Sequence, residues 1–227
     1  MQVQILPDAA AVAQHGAAFI AERAAAAVRE RGAFTLALSG GRTPWAMLRA
    51  LAALPLPWAQ LQLFQVDERV APAGDASRNL THIQANLLDH APLPPAQLHA
   101  MPVDAADLHL AAADYAATLQ RVCGTPAVLD LVHLGLGSDG HTASLVPGDA
   151  VLQIDDADVS LSGPYQGQRR LTLTYPVLNR ARCVLWLVCG ADKRDAAARL
   201  RAGDATLPAG GIGRANAWLL GDAAALG

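Results

Sequence analysis

Phe34-Thr-Leu-Ala-Leu38, followed directly by Ser39-Gly-Gly-Arg-Thr-Pro44, is the stretch on which the fold turns. Its first five residues read as a short buried strand, the next five as a turn, and Pro44 suits the first turn of a helix ending near Leu54. Upstream, Asp8 can cap a helix running from about Ala9 to Arg31, which Gly32 stops. Downstream the alternation recurs. Leu61 to Val66 reads as a strand, Ser77 to Asp89 and Asp104 to Val122 as helices, and Val128 to Leu134 as a strand. Arg170 to Thr174, Val184 to Val188 and Ala217 to Leu220 read as further strands, with a helix from Asp192 to Arg201 between the last two. Strands separated by helices predict an α/β fold: a largely parallel, doubly wound (Rossmann-like) sheet with helices on both faces. Ligands then belong in the loops that leave the carboxyl ends of the strands. Pro92 to Pro95 and Asp149 to Gln168 read as surface connections, the second long enough to cover a site.

Composition narrows the class. Of 227 residues, 52% are hydrophobic, enough for a real core in a single domain spanning 1–227. Aromatics supply only 4%, so alanine-rich helices and aliphatic strands should fill it. The net charge is -3, with 17 Lys and Arg scattered among 20 Asp and Glu. A nucleic-acid binder would carry a basic stripe, so no nucleic-acid partner is expected. Cys123, Cys183 and Cys189 form no CxxC pair and leave an odd thiol, which favours a reducing compartment over a disulfide scaffold and offers no metal-binding spacing. No uncharged run reaches the ~18 residues of a membrane span, and no basic segment followed by an apolar one opens the chain. The expectation is a cytoplasmic protein, a monomer or small homo-oligomer, without cofactor or metal.

Three segments carry candidate chemistry. In Ser39-Gly40-Gly41-Arg42-Thr43, two glycines allow an anion close to the backbone, the helix start offers unpaired N–H groups, and the hydroxyls add donors. A phosphate would fit there, as would an ordinary capped turn; it is not a Walker loop, since the Gly-Lys-Ser/Thr ending is missing. Asp67-Glu68-Arg69 follows a strand. Arg69 could grip phosphate while a carboxylate holds the arginine or a sugar hydroxyl, though a solvated charge run would look the same. Ser77-Arg78-Asn79 opens the next helix and could be cap or contact. The third segment, Leu134-Gly-Leu-Gly-Ser-Asp139-Gly-His141-Thr-Ala-Ser144-Leu-Val-Pro147, offers an aspartate and a histidine on a glycine-rich loop at a strand end. Imidazole, titrating at about 6.5, can take a proton from water at neutral pH, and a nearby carboxylate can set its tautomer. The embedded GxGxxG match is a decoy, because Pro147 interrupts the helix that fingerprint needs. Arg169-Arg170 and Gly190-Ala-Asp-Lys193 could add cations to the same rim, and convergence of these loops is what would make a site.

Together these stretches, from about Leu36 to Pro208, resemble the 6-phosphogluconolactonase family, within the wider group that includes glucosamine-6-phosphate isomerases. Leu38-Ser-Gly-Gly-Arg-Thr-Pro44 is similar to the family's phosphate loop and Val66-Asp-Glu-Arg69 to its acidic-basic motif. Gly137-Ser-Asp-Gly-His-Thr-Ala-Ser-Leu145 is similar to its catalytic signature. Arg170-Leu-Thr-Leu-Thr174, Asn179, Gly190-Ala-Asp-Lys193 and Leu207-Pro-Ala209 agree with later blocks. Val146 stands where the family usually has Phe, an arginine separates Ser77 from Asn79, and Val-Ala-Pro follows Arg69 in place of Cys-Val-Pro.

The resemblance implies hydrolysis of 6-phospho-D-glucono-1,5-lactone in the oxidative pentose phosphate pathway. His141 would be the base, Asp139 its orienting partner and Arg170 the oxyanion donor. Ser39, Gly40, Gly41, Arg42, Thr43, Asp67, Arg69, Asn79 and Lys193 would hold the sugar phosphate. Two rivals remain. The isomerases' signature resembles Asp-Gly-His-Ile-Ala-Phe-Asn-Glu-Pro, whose glutamate place is taken here by Val146. A serine esterase would use Ser39, but Ala37 replaces the first glycine of the Gly-x-Ser-x-Gly elbow.

Overall fold

The structure is a computed structural model that describes all 227 residues except the side chain of Arg42. In chain order it contains β1 (Gln2–Leu6), α1 (Ala9–Arg31), β2 (Phe34–Leu38), α2 (Arg42–Ala52), β3 (Leu61–Gln65) and β4 (Asp67–Arg69). Then come α3 (Asn79–Asn86), β5 (Leu98–His99), α4 (Leu108–Cys123), β6 (Leu131–Leu134), β7 (Val159–Tyr165) and β8 (Gln168–Leu173). The chain closes with α5 (Tyr175–Arg180), β9 (Val184–Val188), α6 (Arg194–Ala202), β10 (Ala217–Asp222) and α7 (Ala223–Leu226). Seven strands form a wholly parallel sheet in the order β1-β10-β9-β6-β2-β3-β5. The doubly wound expectation holds. Among the described residues, no helix is long and apolar enough to cross a membrane.

The alternation of strand residues explains why both faces are covered. In β9, Val184, Trp186 and Val188 join one apolar core with residues of α4, α5, α6 and α7. Leu185 and Leu187 join the other, with residues of α1, α2 and α3. A strand buried on both sides reads as a continuous apolar run, which is how Val184 to Val188 looks in the sequence. Helix α1 begins and ends where its caps dictate. Asp8 accepts a 2.8 Å hydrogen bond from Ala11 N, and Gly32 takes the left-handed conformation, φ 78°, that stops the helix.

The elements of a second, smaller sheet differ from expectation, Asp67–Arg69 among them, which was expected as a loop after a strand and is β4. Arg170 to Thr174 was expected in the parallel sheet, but β8 lies in a separate antiparallel sheet in the order β4-β8-β7. The segment expected as a surface connection, Asp149 to Gln168, supplies β7 to that second sheet after a short 3-10 turn at Ala150–Gln153. Val66 joins the two sheets: its N–H donates to Leu38 O of β2 at 2.9 Å, and its carbonyl accepts from Leu173 N at 2.8 Å. The second sheet thus stands on the carboxyl end of the first. Strand β1 had no expectation attached; its apolar residues Val3 and Ile5 are exposed on the sheet edge, so no buried face marks it in the sequence.

From β2 the chain passes through α2 to β3 on one side. From β6 it passes through β7, β8 and α5 to β9 on the other. Adjacent strands whose connections diverge leave a crevice between their exit loops. The Ser39 loop follows β2 and the Gly135 loop follows β6, so both motif loops open onto that crevice.

Candidate active site

One cleft of about 270 Å³ lies at this crevice, and its walls include Ser39, Gly40, Gly41, Thr43, Asp67, Arg69, Asn79, His141, Arg170 and Lys193. These are ten of the twelve residues expected to form the site. Asp139 is in contact with His141 rather than in the wall, and the side chain of Arg42 lies outside the described residues. The loops were expected to follow strands of one sheet, and not all of them do. Those at Ser39, Gly135 and Gly190 follow β2, β6 and β9, whereas Arg69 and Arg170 come from β4 and β8 of the second sheet.

At one end the glycine loop meets β4. Gly41 precedes α2 with φ 109° and, among the described residues, no side chain caps the helix, so the first N–H groups remain available to an anion. A Cβ on Gly40 would stand 1.8 Å from Asn79 Oδ1, so only glycine lets the loop lie against this side chain. Asn79 Oδ1 in turn accepts from Arg69 Nη1 at 2.9 Å, and Arg69 Nη1 also donates to Ser77 O at 2.7 Å. The guanidinium is thereby held beside the loop. Its Nε is buried without a protein partner among the described residues. From β9, Lys193 reaches the cleft on a turn whose Gly190 N–H is held by both carboxylate oxygens of Asp222, at 3.1 Å each. Lys193 Nζ lies 3.2 Å from Asp192 Oδ2, a largely exposed carboxylate.

The Asp67-Glu68-Arg69 run is not a solvated charge cluster. Glu68 is fully buried, and its carboxylate accepts from Asn79 N at 2.7 Å and Leu80 N at 2.8 Å, capping α3. It also accepts from Gln65 Nε2 and from Arg69 N. Asp67 accepts from Asn79 Nδ2 at 3.0 Å and from Ser144 Oγ at 2.6 Å. Arg78, left open as cap or contact, is buried away from the cleft. It donates to Asp104 Oδ2 at 3.0 Å and lies 3.7 Å from Glu68 Oε2, so its work is to tie α3 down.

At the other end the His141 loop is folded tightly on itself. Gly137 N donates to His141 O at 2.8 Å, Gly140 N to Gly137 O at 3.0 Å, and Thr142 Oγ1 to Gly135 O at 2.9 Å. Ala209 N holds Gly140 O at 3.0 Å, which gives the Leu207-Pro-Ala209 stretch a physical task. Within the loop, Asp139 Oδ1 lies 2.6 Å from His141 Nδ1 and accepts from His141 N at 3.2 Å. Burial pushes the Asp139 carboxyl upward, but the hydrogen bonds from His141 and Tyr165 outweigh it and hold the group below the usual carboxylate range. An ionised Asp139 can only accept, so Nδ1 carries the hydrogen and Nε2 is left as the basic nitrogen. A Cβ on Gly137 would stand 2.0 Å from His141 Nδ1 and 2.5 Å from Asp139 Oδ1; the pair packs onto bare backbone there.

Arg170 stands next to this pair. It is 3% exposed, and its Nε has no partner among the described residues. Burial first, and then the like charge of Arg69, pull its pKa down against the pull of Asp67. A buried guanidinium with an unmet donor is suited to an incoming anion.

Tyr165 had no place in the sequence reading. Its hydroxyl donates to Asp139 Oδ2 at 3.0 Å, and its ring lies over the Arg170 guanidinium at 5.1 Å. Nothing in the local sequence marks it, because its position depends on pairing between β7 and β8. Ser39, the nucleophile of the esterase alternative, lacks the strained backbone of an elbow: among the described residues, Ala143 and Gln166 are the non-glycine positions with positive φ.

Comparisons with known proteins show which family the chain belongs to. Residues 7–220 match the family of glucosamine-6-phosphate isomerases/6-phosphogluconolactonase. A 6-phosphogluconolactonase of Synechocystis is 38% identical over 208 residues, covering 90% of this chain and 86% of that protein. The crystal structure of a 6-phosphogluconolactonase from Thermotoga maritima superposes with a TM-score of 0.85 at 25% identity, covering 97% of this chain and 98% of that one. A monomeric glucosamine-6-phosphate deaminase superposes equally well, TM-score 0.86, at 18% identity over 99% of this chain and 98% of the other, a likeness of fold alone. The chain belongs to the glucosamine-6-phosphate isomerase/6-phosphogluconolactonase family.

Proposed function

We propose that this chain hydrolyses 6-phospho-D-glucono-1,5-lactone to 6-phospho-D-gluconate in the oxidative pentose phosphate pathway, with His141 as the base that activates water. The carrying observation is that His141, in the wall of a cleft that also holds three cations and a helix start, is backed at 2.6 Å by Asp139 behind the wall. The relatives' names supply the substrate. The side chains supply the division of labour.

The phosphate is held at the end formed by the α2 N-terminus, Thr43, Lys193 and Arg69, where binding energy remote from the carbonyl positions the lactone. His141 Nε2 then removes a proton from water as its oxygen attacks the lactone carbonyl. Negative charge develops on the carbonyl oxygen and is met by the guanidinium of Arg170, whose Nε has no protein partner among the described residues. Collapse of the tetrahedral intermediate breaks the ring ester bond, and the proton on Nε2 passes to the departing ring oxygen. The acid formed loses its own proton to solvent. Asp139 keeps Nδ1 protonated throughout and steadies the imidazolium. The free thiols Cys123, Cys183 and Cys189 fit a cytoplasmic setting.

The isomerase alternative finds no support at position 146. Val146 is buried and apolar, so no carboxylate there tunes His141. Freshly generated 6-phosphogluconolactone provides the test: the protein should release acid well above the spontaneous rate. Ammonia release from glucosamine 6-phosphate, with no acceleration of lactone hydrolysis, would replace this reading with the deaminase one.

A further inference from the structure

Tyr165 closes β7 at a hairpin whose two turn residues, Gln166 with φ 53° and Gly167 with φ 80°, connect it tightly to its partner Gln168 on β8. The β7–β8 register slips between Ser162 and Tyr165. Such an irregularity re-aims the side chains that follow it. Gly163 within the slip is anchored by its N–H to Asp149 Oδ2 at 2.9 Å. The result is an aromatic side chain that touches both the base pair and the guanidinium at the His141 end of the cleft. Its hydroxyl is 3.0 Å from Asp139 Oδ2 and 3.5 Å from His141 Nδ1, and its ring is 5.3 Å from the imidazole and 5.1 Å from Arg170 Cζ.

We propose, resting on the lactonase reading, that Tyr165 is a positioning residue for the reaction. Its hydroxyl pins Asp139 Oδ2 so that Oδ1 stays on His141 Nδ1, and its ring braces the guanidinium of Arg170 at the site of the developing oxyanion.

The directions of donation are consistent. Burial and the neighbouring Asp139 carboxylate both push the Tyr165 phenol up from its ordinary value, so it keeps its hydrogen at neutral pH. Asp139 is held ionised and can only accept. One Asp139 oxygen therefore serves the imidazole while the other is fixed by Tyr165. Without that second hold, rotation of the carboxylate would let His141 sample the tautomer whose Nε2 carries the hydrogen, and that form cannot act as base. The ring contributes separately, because its face is attractive to a desolvated cation and Arg170 lacks a protein partner at Nε.

Two substitutions separate these parts. Y165F keeps the ring and removes the hydroxyl; Y165A removes both. With 6-phosphogluconolactone, Y165F should lower kcat about tenfold and leave KM within about twofold, as expected for one hydrogen bond to a charged group. Y165A should lower kcat about a hundredfold. The second readout does not depend on turnover: ¹⁵N spectra of the His141 ring should show Nδ1–H in the wild type and a growing share of Nε2–H in Y165F. A wild-type protein inactive on the lactone, with the tautomer shift intact, would sink the substrate reading and support the positioning role. Wild-type activity with an unchanged tautomer in Y165F, whether or not kcat falls, would overturn the positioning role and leave the substrate reading standing.

Discussion

Arg69 and Arg170 stand directly opposite each other on the antiparallel strands β4 and β8, with like charges on neighbouring side chains of one face. Both Nε atoms are buried without partners among the described residues. On the proposed reading, two such cations are tolerated because they serve an anionic ligand at two points. Arg69 is tied to the glycine loop through Asn79, and Arg170 to the base through Tyr165.

Replacing Arg170 with Met should therefore separate stability from activity. Removing a buried charge that lacks a full complement of partners should leave Tm unchanged or raise it. Loss of the oxyanion donor should cut kcat by ~10²–10³. Thermal melts and steady-state kinetics on one preparation check both; a fall in Tm without loss of kcat would assign Arg170 to the scaffold.

Lys193 tests the phosphate end. K193A should raise KM for 6-phosphogluconolactone about 10- to 100-fold, the range for a lost charged hydrogen bond, with kcat changed much less. Activity on gluconolactone lacking the phosphate should be the same in variant and wild type. Equal losses on both lactones would remove Lys193 from the phosphate site.

Much of this site is legible in the sequence because its parts are local. Gly137-Ser-Asp-Gly-His141 places base and orienting carboxylate two residues apart, and strand, Gly40-Gly41 and helix follow one another without a gap. What was not legible depends on distant partners. Asp67-Glu68-Arg69 carries three charges that by themselves fit a binding loop or a solvated run, yet it is a strand paired to residues a hundred positions away, with Glu68 buried to cap α3. Tyr165 sits in a stretch holding Gly163, Pro164 and Gly167, which has every mark of a loop. Only the β7–β8 pairing brings it to Asp139.

Gly137 should not tolerate a side chain. In G137A the added methyl would lie 2.0 Å from His141 Nδ1, so the ring must move. A displacement of this kind should cost about a hundredfold in kcat while the far-ultraviolet circular dichroism stays native. Full activity in a folded G137A would show that the imidazole position is not critical.

His133 gives a pH signature of stability. It is fully buried on β6, where its Nδ1 accepts from Ser39 N, and burial lowers its pKa from 6.5 to about 4. The unfolded chain binds the proton more readily, so its stabilising neutral state is fully favoured above pH 6.5. Stability is lost as pH falls from there to about 4, below which the penalty is constant. This amounts to about 3 kcal/mol over the interval. Urea unfolding at pH 7 and pH 4.5 should show H133Q losing less stability than the wild type; parallel losses would mean that His133 is not held neutral.

The most direct measurement is turnover of freshly generated 6-phosphogluconolactone by wild type and H141A, followed as acid release against the spontaneous background. Loss of the base should lower kcat by ~10²–10⁴ while KM stays close to that of the wild type, because the phosphate end is intact. An H141A protein that turns over the lactone at the wild-type rate would contradict the assignment of His141, and with it the account of the cleft.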